Sequence, residues 1–426
     1  MSSAAHVVLW QLTNDIESLS RAIESACEAA EIDGTWPWPL FQLAELAGLP
    51  EPARAEAVRP FLSTPKYGPL LRMVRGGDAP ELFRLGARLA VNNREFSRDE
   101  FGSRQLVYVL DDPHRLLKQS FVFKHTATAN AYREIEAIKS FGAFLDVSAG
   151  PTYFKLPDPI GVVPAAEGEV AYVMRRARGW RLGDLTLGVP FVPPIPLLGL
   201  YGRTARYLAY YHAWGVRGNG RAVCDKGAVY RLAQRALGPW KSLGMNPEDI
   251  RSLAEELTSA VPVTLPSLLK KDAHPENWLV DSDANIVMLD LEANSFCPLF
   301  FELSQLIEDY PVFLPDEDGW SGRMDLCREY LRTLCELLGW NFDEYESRLP
   351  EAYAGFVLIR LAFGLGRIRA RARWLTSSAV RASNIRDEHY QGLLRWMKGK
   401  GTANRWSRPA ARMLDAVENL PQLRMS

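Results

Sequence analysis

The chain has 426 residues, and its 50 lysines and arginines nearly balance its 51 aspartates and glutamates, for a formal net charge of -1. A chain of this length is expected to form more than one folding unit. Because the charge is so even, the molecule has no strong field for a polyanion or a membrane surface, and composition indicates neither as a partner. Residues 351–426 are more basic than the rest, which leaves a nucleic-acid partner open for that part.

The five cysteines are odd in number and include no CxxC pair, which argues against a disulfide framework or a zinc site. Cysteines without a disulfide pattern are typical of proteins in a reducing compartment. The first residues, MSSAAHVVLWQL, have no positive region ahead of an apolar stretch, so they do not resemble a signal peptide. The most apolar run, VPFVPPIPLLGLYG, is broken by prolines and is shorter than the ~20 residues that span a bilayer. We therefore expect a cytoplasmic protein with no membrane partner.

The first 97 residues have a helical pattern. Leu9, Leu12, Ile16 and Leu19 recur at steps of three and four, which places them on one stripe of a helix. The segment DAPELFRLGARLAV predicts a further helix, with its first Asp as the N-cap. Residues 1–97 are therefore predicted to form a helical N-terminal domain, whose task the sequence does not indicate.

A β-rich region follows this helical one. Residues 104–123 contain two β-rich runs around a Pro-His turn and predict an antiparallel hairpin. Residues 127–142 predict a helix that stops at Gly142. The run EVAYVM predicts one more strand. These elements indicate a β-rich lobe over residues 98–176.

The rest of the chain, residues 177–426, is predicted to be a mainly helical lobe. Helical periodicity extends from Leu200 to about Leu257, interrupted by a loop over 215–227, and resumes beyond Glu302. One hairpin interrupts the helices. The predicted fold class is therefore α+β, with strands concentrated in the first lobe.

That hairpin covers residues 277–291, where NWLVD and IVMLDL flank the turn residues SDAN. It brings Asn277, at the start of one strand, close to Asp290, at the end of the other, and Asp272 lies five residues before Asn277. Carboxylate and amide oxygens are hard ligands that suit Mg²⁺, which bridges carboxylates to substrate phosphates. The sequence therefore predicts a metal and nucleotide site at this end of the hairpin.

The spacing of an Asp, an Asn five residues later and an Asp thirteen residues after that resembles the catalytic and metal-binding loops of the protein-kinase fold. The form KDAHPENWLV…MLDLE is similar in particular to the aminoglycoside phosphotransferase and choline kinase branch. The resemblance covers about residues 100–400. It implies a bilobal protein-kinase-like fold, ATP (or GTP) and Mg²⁺ as cofactors, and transfer of the γ-phosphate to a hydroxyl of a small-molecule acceptor.

The resemblance also implies roles for residues. Asp272 matches the catalytic Asp that orients the acceptor hydroxyl, and Asn277 and Asp290 match the two magnesium ligands. His274 matches a His common in this branch, for which we expect a structural hydrogen bond in the loop. The chain departs from the pattern at its Lys-Lys pair, 270–271, where the family usually has His-Gly, and this leaves open how the loop packs.

In this fold a strand Lys holds the α- and β-phosphates and is paired with a Glu on the following helix. Lys118 and Glu134 match these positions. Lys124 and Glu136 are rivals, the first nearer the loop and the second on another face of the helix. For each position the alternative is a solvated surface charge.

The remaining nucleotide contacts are less distinct. Gly102 and Ser103 occupy the turn before the first strand, where the family has a glycine-rich cover over the phosphates. The segment AYVMRRARG matches the connector between the lobes, so main-chain groups near Met174 are expected to meet a purine, unless this segment is an ordinary buried strand. No GxxxxGK[ST] motif occurs, which argues against a P-loop NTPase.

Two clues to the acceptor disagree. Four arginines of FGLGRIRARARW either lie along a helix with their charged ends in water or bind an acceptor or partner that carries phosphate. Acids downstream of Asp290 would instead suit an amine-bearing acceptor: Glu308, Asp309, Asp316, Glu317 and Asp318. The acceptor and the oligomeric state are therefore not assigned.

Alternatives to a small-molecule phosphotransferase stay open at this point. A protein kinase lacks an evident activation segment, because the helix-like PLFFELSQLIEDY begins soon after Asp290. A catalytically silent kinase-fold module, which binds nucleotide or a partner, is suggested by the Lys-Lys pair and the thin glycine loop. Nucleotidyl transfer is a further possibility.

Overall fold

The computed structural model describes residue 21 and residues 106–110, 121–164, 169–175, 177, 179–188, 193–219, 222–262, 264–291, 295–371, 377–400 and 405–419. The helical domain predicted for residues 1–97 therefore lies outside the described residues, apart from Arg21. By their contacts the described residues divide into two compact units. The first unit takes those up to Glu136 and those of 157–177, and the second takes 137–156 and those from 178 onward. The domain boundaries inferred from sequence stay a prediction.

The described elements are mixed α/β and mostly helical. The strands are β1 (Leu106–Leu110), β2 (Phe121–Ala127), β3 (Phe154–Lys155), β4 (Asp158–Pro164), β5 (Glu169–Arg175), β6 (Trp180–Arg181), β7 (Ala222–Cys224), β8 (Leu265–Leu269), β9 (Trp278–Val280), β10 (Ile286–Met288) and β11 (Phe296–Pro298). The α-helices are α1 (Thr128–Val147), α2 (Leu182–Thr186), α3 (Leu197–Asn219), α4 (Lys226–Leu237), α5 (Pro247–Ser259), α6 (Phe301–Glu308), α7 (Glu317–Leu338), α8 (Phe342–Glu346), α9 (Leu349–Arg371), α10 (Ser377–Gly399) and α11 (Ser407–Asn419). Among the described residues, 3₁₀ turns cover Gly238–Leu243 and Pro275–Asn277.

The first unit contains a four-stranded antiparallel sheet in the order β1-β2-β5-β4. β1 and β2 pair with Leu106 opposite His125 and Leu110 opposite Phe121, which confirms the predicted antiparallel pairing. β2 extends beyond the predicted end at residue 123. The Pro-His turn lies outside the described residues. β5 confirms the strand predicted for EVAYVM.

The predicted end of α1 at Gly142 is wrong, because the helix continues to Val147. The ring of Phe141 packs against Tyr207 at 5.9 Å, and the ring of Phe144 packs against Tyr210 at 6.4 Å, both on α3. Apolar contacts on both sides of the glycine outweigh its cost of about 1 kcal/mol relative to Ala within a helix. Tertiary packing, and not local propensity, therefore determines where α1 ends.

Long helices form the core of the second unit. α3 packs along α7, and α9 packs against α4, α6 and α10. Within the described residues, the segment Leu349–Arg369 of α9 is the one helix long and apolar enough to cross a membrane, but 83% of its apolar window is buried inside the protein. The predicted loop over 215–227 is wrong in part, since α3 continues to Asn219 and β7 lies within it.

The predicted hairpin of residues 277–291 is confirmed as the antiparallel pair of β9 and β10, with Val280 opposite Ile286. Asp281 closes its turn, because its carboxylate accepts hydrogen bonds from the N–H of Asp283 and of Asn285, both at 2.9 Å. This Asx-type turn explains why the SDAN segment reverses the chain. The hairpin belongs to a sheet of order β3-β10-β9-β6.

A second small sheet of the same unit, in the order β11-β8-β7, supports the segment ahead of the hairpin. The sequence did not predict β8 or β11. β8 ends at Leu269, and the next residue, Lys270, donates its N–H to the carbonyl of Ser295 at 2.7 Å. The loop that carries Asp272 thus begins at the end of a strand that is paired on both sides.

Candidate active site

The candidate active site includes the loop of residues 270–277, which connects β8 to β9. Within it Asp272 has a φ of 67°, a left-handed conformation that costs a non-glycine residue roughly 1 to 3 kcal/mol. The carboxylate of Glu302 holds the loop in this shape. Its Oε1 accepts hydrogen bonds from the N–H of Asp272 and, at 3.1 Å, of Ala273. Its Oε2 accepts one from the N–H of Lys271 at 2.7 Å.

Glu302 lies in the first turn of α6 and is buried. His212 Nε2 lies 2.9 Å from its Oε2, and His212 Nδ1 lies 2.6 Å from the hydroxyl of Tyr330. Sequence reasoning missed both Glu302 and His212. The available signal was an acid within the apolar run PLFFELSQLI, because a carboxylate buried in such a helix requires hydrogen-bonding partners.

His212 and Glu302 also form, with Cys297, a buried group whose potential ligand atoms lie within 4.8 Å of one another. The imidazole and the carboxylate are already engaged with each other and with the loop N–H groups. Burial raises the pKa of the Cys297 thiol well above its ordinary value, so the thiol stays protonated. The chemistry of this group is therefore that of a hydrogen-bonded support for the loop.

The Asp272 carboxylate is about half-exposed and surrounded by donors. Gln305 Nε2 donates to its Oδ1 at 3.1 Å, Lys270 Nζ lies 3.7 Å from the same oxygen, and His274 Nε2 lies 3.9 Å from Oδ2. Burial alone would raise the pKa of Asp272, but the neighbouring His274 imidazole and the charges of Lys270 and Arg360 outweigh it and lower the pKa to about 2. Asp272 is thus an anion that accepts hydrogen bonds, suited to orienting a hydroxyl.

Two hydrogen bonds connect Asn277 to Asp272 on one side and to Leu289, the residue before Asp290, on the other. Asn277 Nδ2 donates to the backbone carbonyl of Asp272 at 2.9 Å, and the carbonyl of Asn277 accepts the N–H of Leu289 at 3.0 Å. Asp290 follows directly and has a φ of 60°. The structure therefore brings the three predicted residues to one end of the hairpin.

The donor set at this end fits a hard divalent cation. With Nδ2 of Asn277 bonded to the loop, its Oδ1 is the amide atom available to a cation, and Asp290 supplies a carboxylate. These are the oxygen ligands that Mg²⁺ takes together with phosphate oxygens and water.

Lys271 explains how the loop accommodates its unusual Lys-Lys pair. The side chain is buried, and its Nζ donates to the backbone carbonyl of Leu289 and, at 3.3 Å, to that of Asp290. The ammonium also lies 5.3 Å from the ring centroid of Trp278. Lys270, in contrast, is partly exposed beside Asp272.

In the first unit the nearest match to the predicted Lys-Glu pair is formed by Lys124 and Glu134. Their side chains are buried, and Lys124 Nζ lies 2.9 Å from Glu134 Oε2. Glu136 is exposed. Lys124, which is opposite Tyr172 of β5, was the rival of Lys118, and Lys118 lies outside the described residues.

The other predicted nucleotide contacts are placed as follows. Gly102 and Ser103 lie outside the described residues. Met174 is buried within β5, opposite Val122 of β2 on one side and Pro159 of β4 on the other. Its position is that of a central strand residue near the end of β5, and its role toward a purine stays a prediction.

The interpretation of Glu308 and Asp309 as ligands for an amine-bearing acceptor is wrong. Both carboxylates are buried, and each is neutralised by an arginine, Arg323 for Glu308 and Arg360 for Asp309. Asp316 is the N-cap of α7 and accepts the N–H of Gly319 at 2.7 Å. Glu317 forms an ion pair with Lys400, and Asp318 is exposed in the first turn of α7, so the amine-binding interpretation stays a prediction for these two acids.

The arginines of α9 differ in their surroundings where they are described: Arg367 is exposed, as the simpler interpretation expects, whereas the charged end of Arg369 is mostly buried and paired with an acid. Arg369 forms two hydrogen bonds with Asp387 of α10, at 3.1 and 3.2 Å. The guanidinium of Arg367 lies 5.1 Å from the centroid of the Phe363 ring on its own helix. The side chain of Arg371 and all of Arg373 lie outside the described residues.

Comparison with known proteins gives matches at the level of structure only. Neither a scan of protein-family models nor a search of curated proteins finds a match. The solved structures that resemble the chain include aminoglycoside phosphotransferases. A thermostable mutant of APH(4)-Ia in its apo form is 13% identical, with a TM-score of 0.41, over 68% of this chain and 92% of that one. The GDP complex of wild-type aminoglycoside 2'-phosphotransferase-IIIa is 13% identical, with a TM-score of 0.40, over 71% of this chain and 96% of that one. Similarity this low transfers no activity or substrate, so we infer function from the geometry of this chain.

Proposed function

We propose that the chain is a phosphotransferase of the protein-kinase-like type, which moves the γ-phosphate of ATP or GTP to a hydroxyl of a small molecule with the help of Mg²⁺. One observation carries the proposal. The side-chain amide of Asn277 donates to the backbone carbonyl of Asp272, while the backbone carbonyl of Asn277 accepts the N–H of Leu289, the residue before Asp290. This arrangement gathers an anionic oxygen acceptor and two oxygen ligands at one end of a hairpin. A solvated surface hairpin would not need Glu302 to hold its approach loop.

In the proposed reaction the acceptor oxygen forms a bond to the γ-phosphorus as the bond to the bridging β–γ oxygen breaks, and a nucleoside diphosphate leaves. The hydroxyl proton passes late in this step to the Asp272 carboxylate and from there to solvent. Asp272 accepts the hydrogen bond of the acceptor hydroxyl and orients its oxygen. Its low pKa makes it a weak base, so its main contribution is alignment. Asn277 and Asp290 would hold Mg²⁺, which neutralises charge on the phosphates when bound.

We further propose that Lys124, oriented by Glu134, binds the α- and β-phosphates in place of Lys118. The buried pair at 2.9 Å supports this role, because a strand Lys paired with a Glu on the following helix is the arrangement that holds the α- and β-phosphates in this fold. Sequence spacing favours Lys118 for this position. Replacing Lys124 and replacing Lys118 should therefore have different effects on nucleotide affinity.

A small acceptor is favoured over a protein substrate. α6 begins at Phe301, so only ten residues separate Asp290 from the helix that supports the loop. A protein kinase needs a longer segment there to order its peptide substrate. Since the buried acids Glu308 and Asp309 are neutralised, an ammonium on the acceptor is not required.

The proposal is tested by incubating the full chain with ATP or GTP, Mg²⁺ and pooled hydroxyl metabolites, and by mass spectrometry of the products. We expect a product heavier by one phosphoryl group, and a nucleotide adduct would instead show nucleotidyl transfer. Asp272→Asn and Asp290→Ala should each abolish turnover with the thermal unfolding midpoint nearly unchanged. Full turnover by Asp290→Ala rules the proposal out, and nucleotide binding without consumption across the whole panel favours a silent binding module.

A further inference from the structure

Lys271 is a buried cation that connects segments distant in sequence. Its own N–H is held by Glu302 of α6, at 2.7 Å. Its ammonium donates to the carbonyl of Leu289 and, at 3.3 Å, to that of Asp290, both of which follow β10. One residue therefore joins the Asp272 loop, the end of the hairpin and the supporting helix.

These contacts fall where the backbone needs support. Asp290 has a φ of 60°, outside the range that a non-glycine residue prefers, so surrounding contacts must maintain this conformation. The carbonyl groups that Lys271 binds belong to the two peptide groups on either side of the Asp290 Cα. The direction of the Asp290 Cα–Cβ bond, which limits where the carboxylate can lie, follows from this backbone conformation.

If Lys271 only filled space in the core, its side chain would not need a positive charge. Lys271 is only 3% exposed, and placing an ammonium there carries a desolvation cost that an apolar side chain of similar size would avoid. The carbonyl oxygens of Leu289 and Asp290, together with the face of the Trp278 ring, compensate this cost.

We infer that Lys271 is a positioning residue for the divalent cation, which acts by fixing the backbone of Asp290 and does not touch the nucleotide. The inference rests on the proposed function, because it assumes that Asp290 is a cation ligand. Residues that orient a ligand from behind typically change metal affinity by about 10- to 100-fold when they are replaced.

The test compares Lys271→Met with the wild-type chain, with Lys241→Met as the matched control at an exposed lysine. Mn²⁺ affinity is measured by electron paramagnetic resonance in the presence of a non-hydrolysable ATP analogue. Affinity for the same analogue is measured separately by calorimetry in EDTA. We expect Lys271→Met to weaken Mn²⁺ binding about tenfold or more and to leave the cation-free affinity unchanged. Lys241→Met should change neither.

Steady-state kinetics provides a second readout once an acceptor is known. If the role is positional, Lys271→Met raises the Mg²⁺ concentration needed for half-maximal rate, and saturating Mg²⁺ restores most of kcat. A residue needed only for stability would lower the unfolding midpoint without this selective dependence on the cation.

Several outcomes overturn the inference. One is unchanged Mn²⁺ affinity in a folded Lys271→Met chain. Should that variant fail to fold, Lys271→Gln, which keeps a donor on a shorter side chain, is measured in the same way. Unchanged Mn²⁺ affinity in Lys271→Gln also overturns the inference. Loss of fold in Lys271→Gln overturns it too, because Lys271 would then serve the stability of the fold in general. Failure of the wild-type chain to bind Mn²⁺ with nucleotide contradicts the proposed function instead, and so the two failures are distinguishable.

Discussion

Arg323 of α7 holds the carboxylate of Glu308, the last residue of α6, with two hydrogen bonds, Nε to Oε1 at 2.8 Å and Nη2 to Oε2 at 3.1 Å. Both side chains are fully buried. The hydroxyl of Tyr353 on α9 donates to the same carboxylate at 2.6 Å. Because α6 also carries Glu302, this pair fixes the far end of the helix that supports the Asp272 loop.

Replacing Arg323 with Met should lower the free energy of unfolding by about 3 to 5 kcal/mol, because it leaves the Glu308 charge buried without its partner. Urea unfolding followed by circular dichroism measures the change. Arg328→Met is the control on the same helix, since its pairs with Asp325 and Glu346 are partly exposed and should be worth about 1 kcal/mol or less. Equal losses in the two variants would contradict this account.

The stability of the chain should depend on pH through Glu308. Burial alone would raise the pKa of Glu308, but the Arg323 charge lowers it to about 2 from an ordinary value of 4.5. Its contribution is therefore complete above pH 4.5 and is lost as the pH falls toward 2, with a slope of up to about 1.4 kcal/mol per pH unit. Urea unfolding between pH 6 and 3 should show this slope in the wild-type chain and a shallower one in Glu308→Gln.

Two glycines of α3 should respond oppositely to the same substitution. A Cβ on Gly215 would collide with the Cβ of Leu269 at the end of β8, whereas a Cβ on Gly218 meets nothing within 4 Å. Gly215→Ala should therefore cost about 1 to 3 kcal/mol by overpacking. Gly218→Ala should be neutral or stabilise by up to about 1 kcal/mol through helix propensity. Thermal unfolding of both variants checks the pair, and an unaffected Gly215→Ala would show that the contact relaxes freely.

Nucleotide affinity should distinguish the two candidate lysines. Removing a charge-assisted hydrogen bond to phosphate with Lys124→Met should weaken binding by about 10- to 100-fold. Lys118→Met should have little effect. Calorimetric titration with ATP and with GTP measures both affinities, and the unfolding midpoint of each variant serves as the folding control. The reverse order would restore Lys118 as the phosphate-binding residue.

Glu302→Gln should disturb the Asp272 loop, although the substituted side chain is nearly the same size as the original one. The amide replaces one acceptor oxygen by a donor that faces backbone N–H groups, which should cost roughly 1 to 3 kcal/mol of stability. Turnover should fall in parallel, because Asp272 loses its fixed orientation. Glu336→Gln, at an exposed site of α7, is the control and should leave both quantities unchanged.

The local elements near the site were predictable from the sequence. The β-rich runs NWLVD and IVMLDL and the SDAN turn between them predicted the pairing of β9 with β10, because strand propensity and turn chemistry act over neighbouring residues. The same spacing predicted that Asp272, Asn277 and Asp290 lie close together. These properties depend on short stretches of chain, so one sequence is sufficient to predict them.

Only the tertiary structure showed which charges are buried and which residues they contact. It paired Glu134 with Lys124, brought His212 to Glu302 across 90 residues and buried Glu308 against Arg323. It also extended α1 past Gly142, where packing on α3 outweighs the local cost of glycine. Burial and ion pairing depend on elements far apart in the chain, whose approach no local pattern specifies.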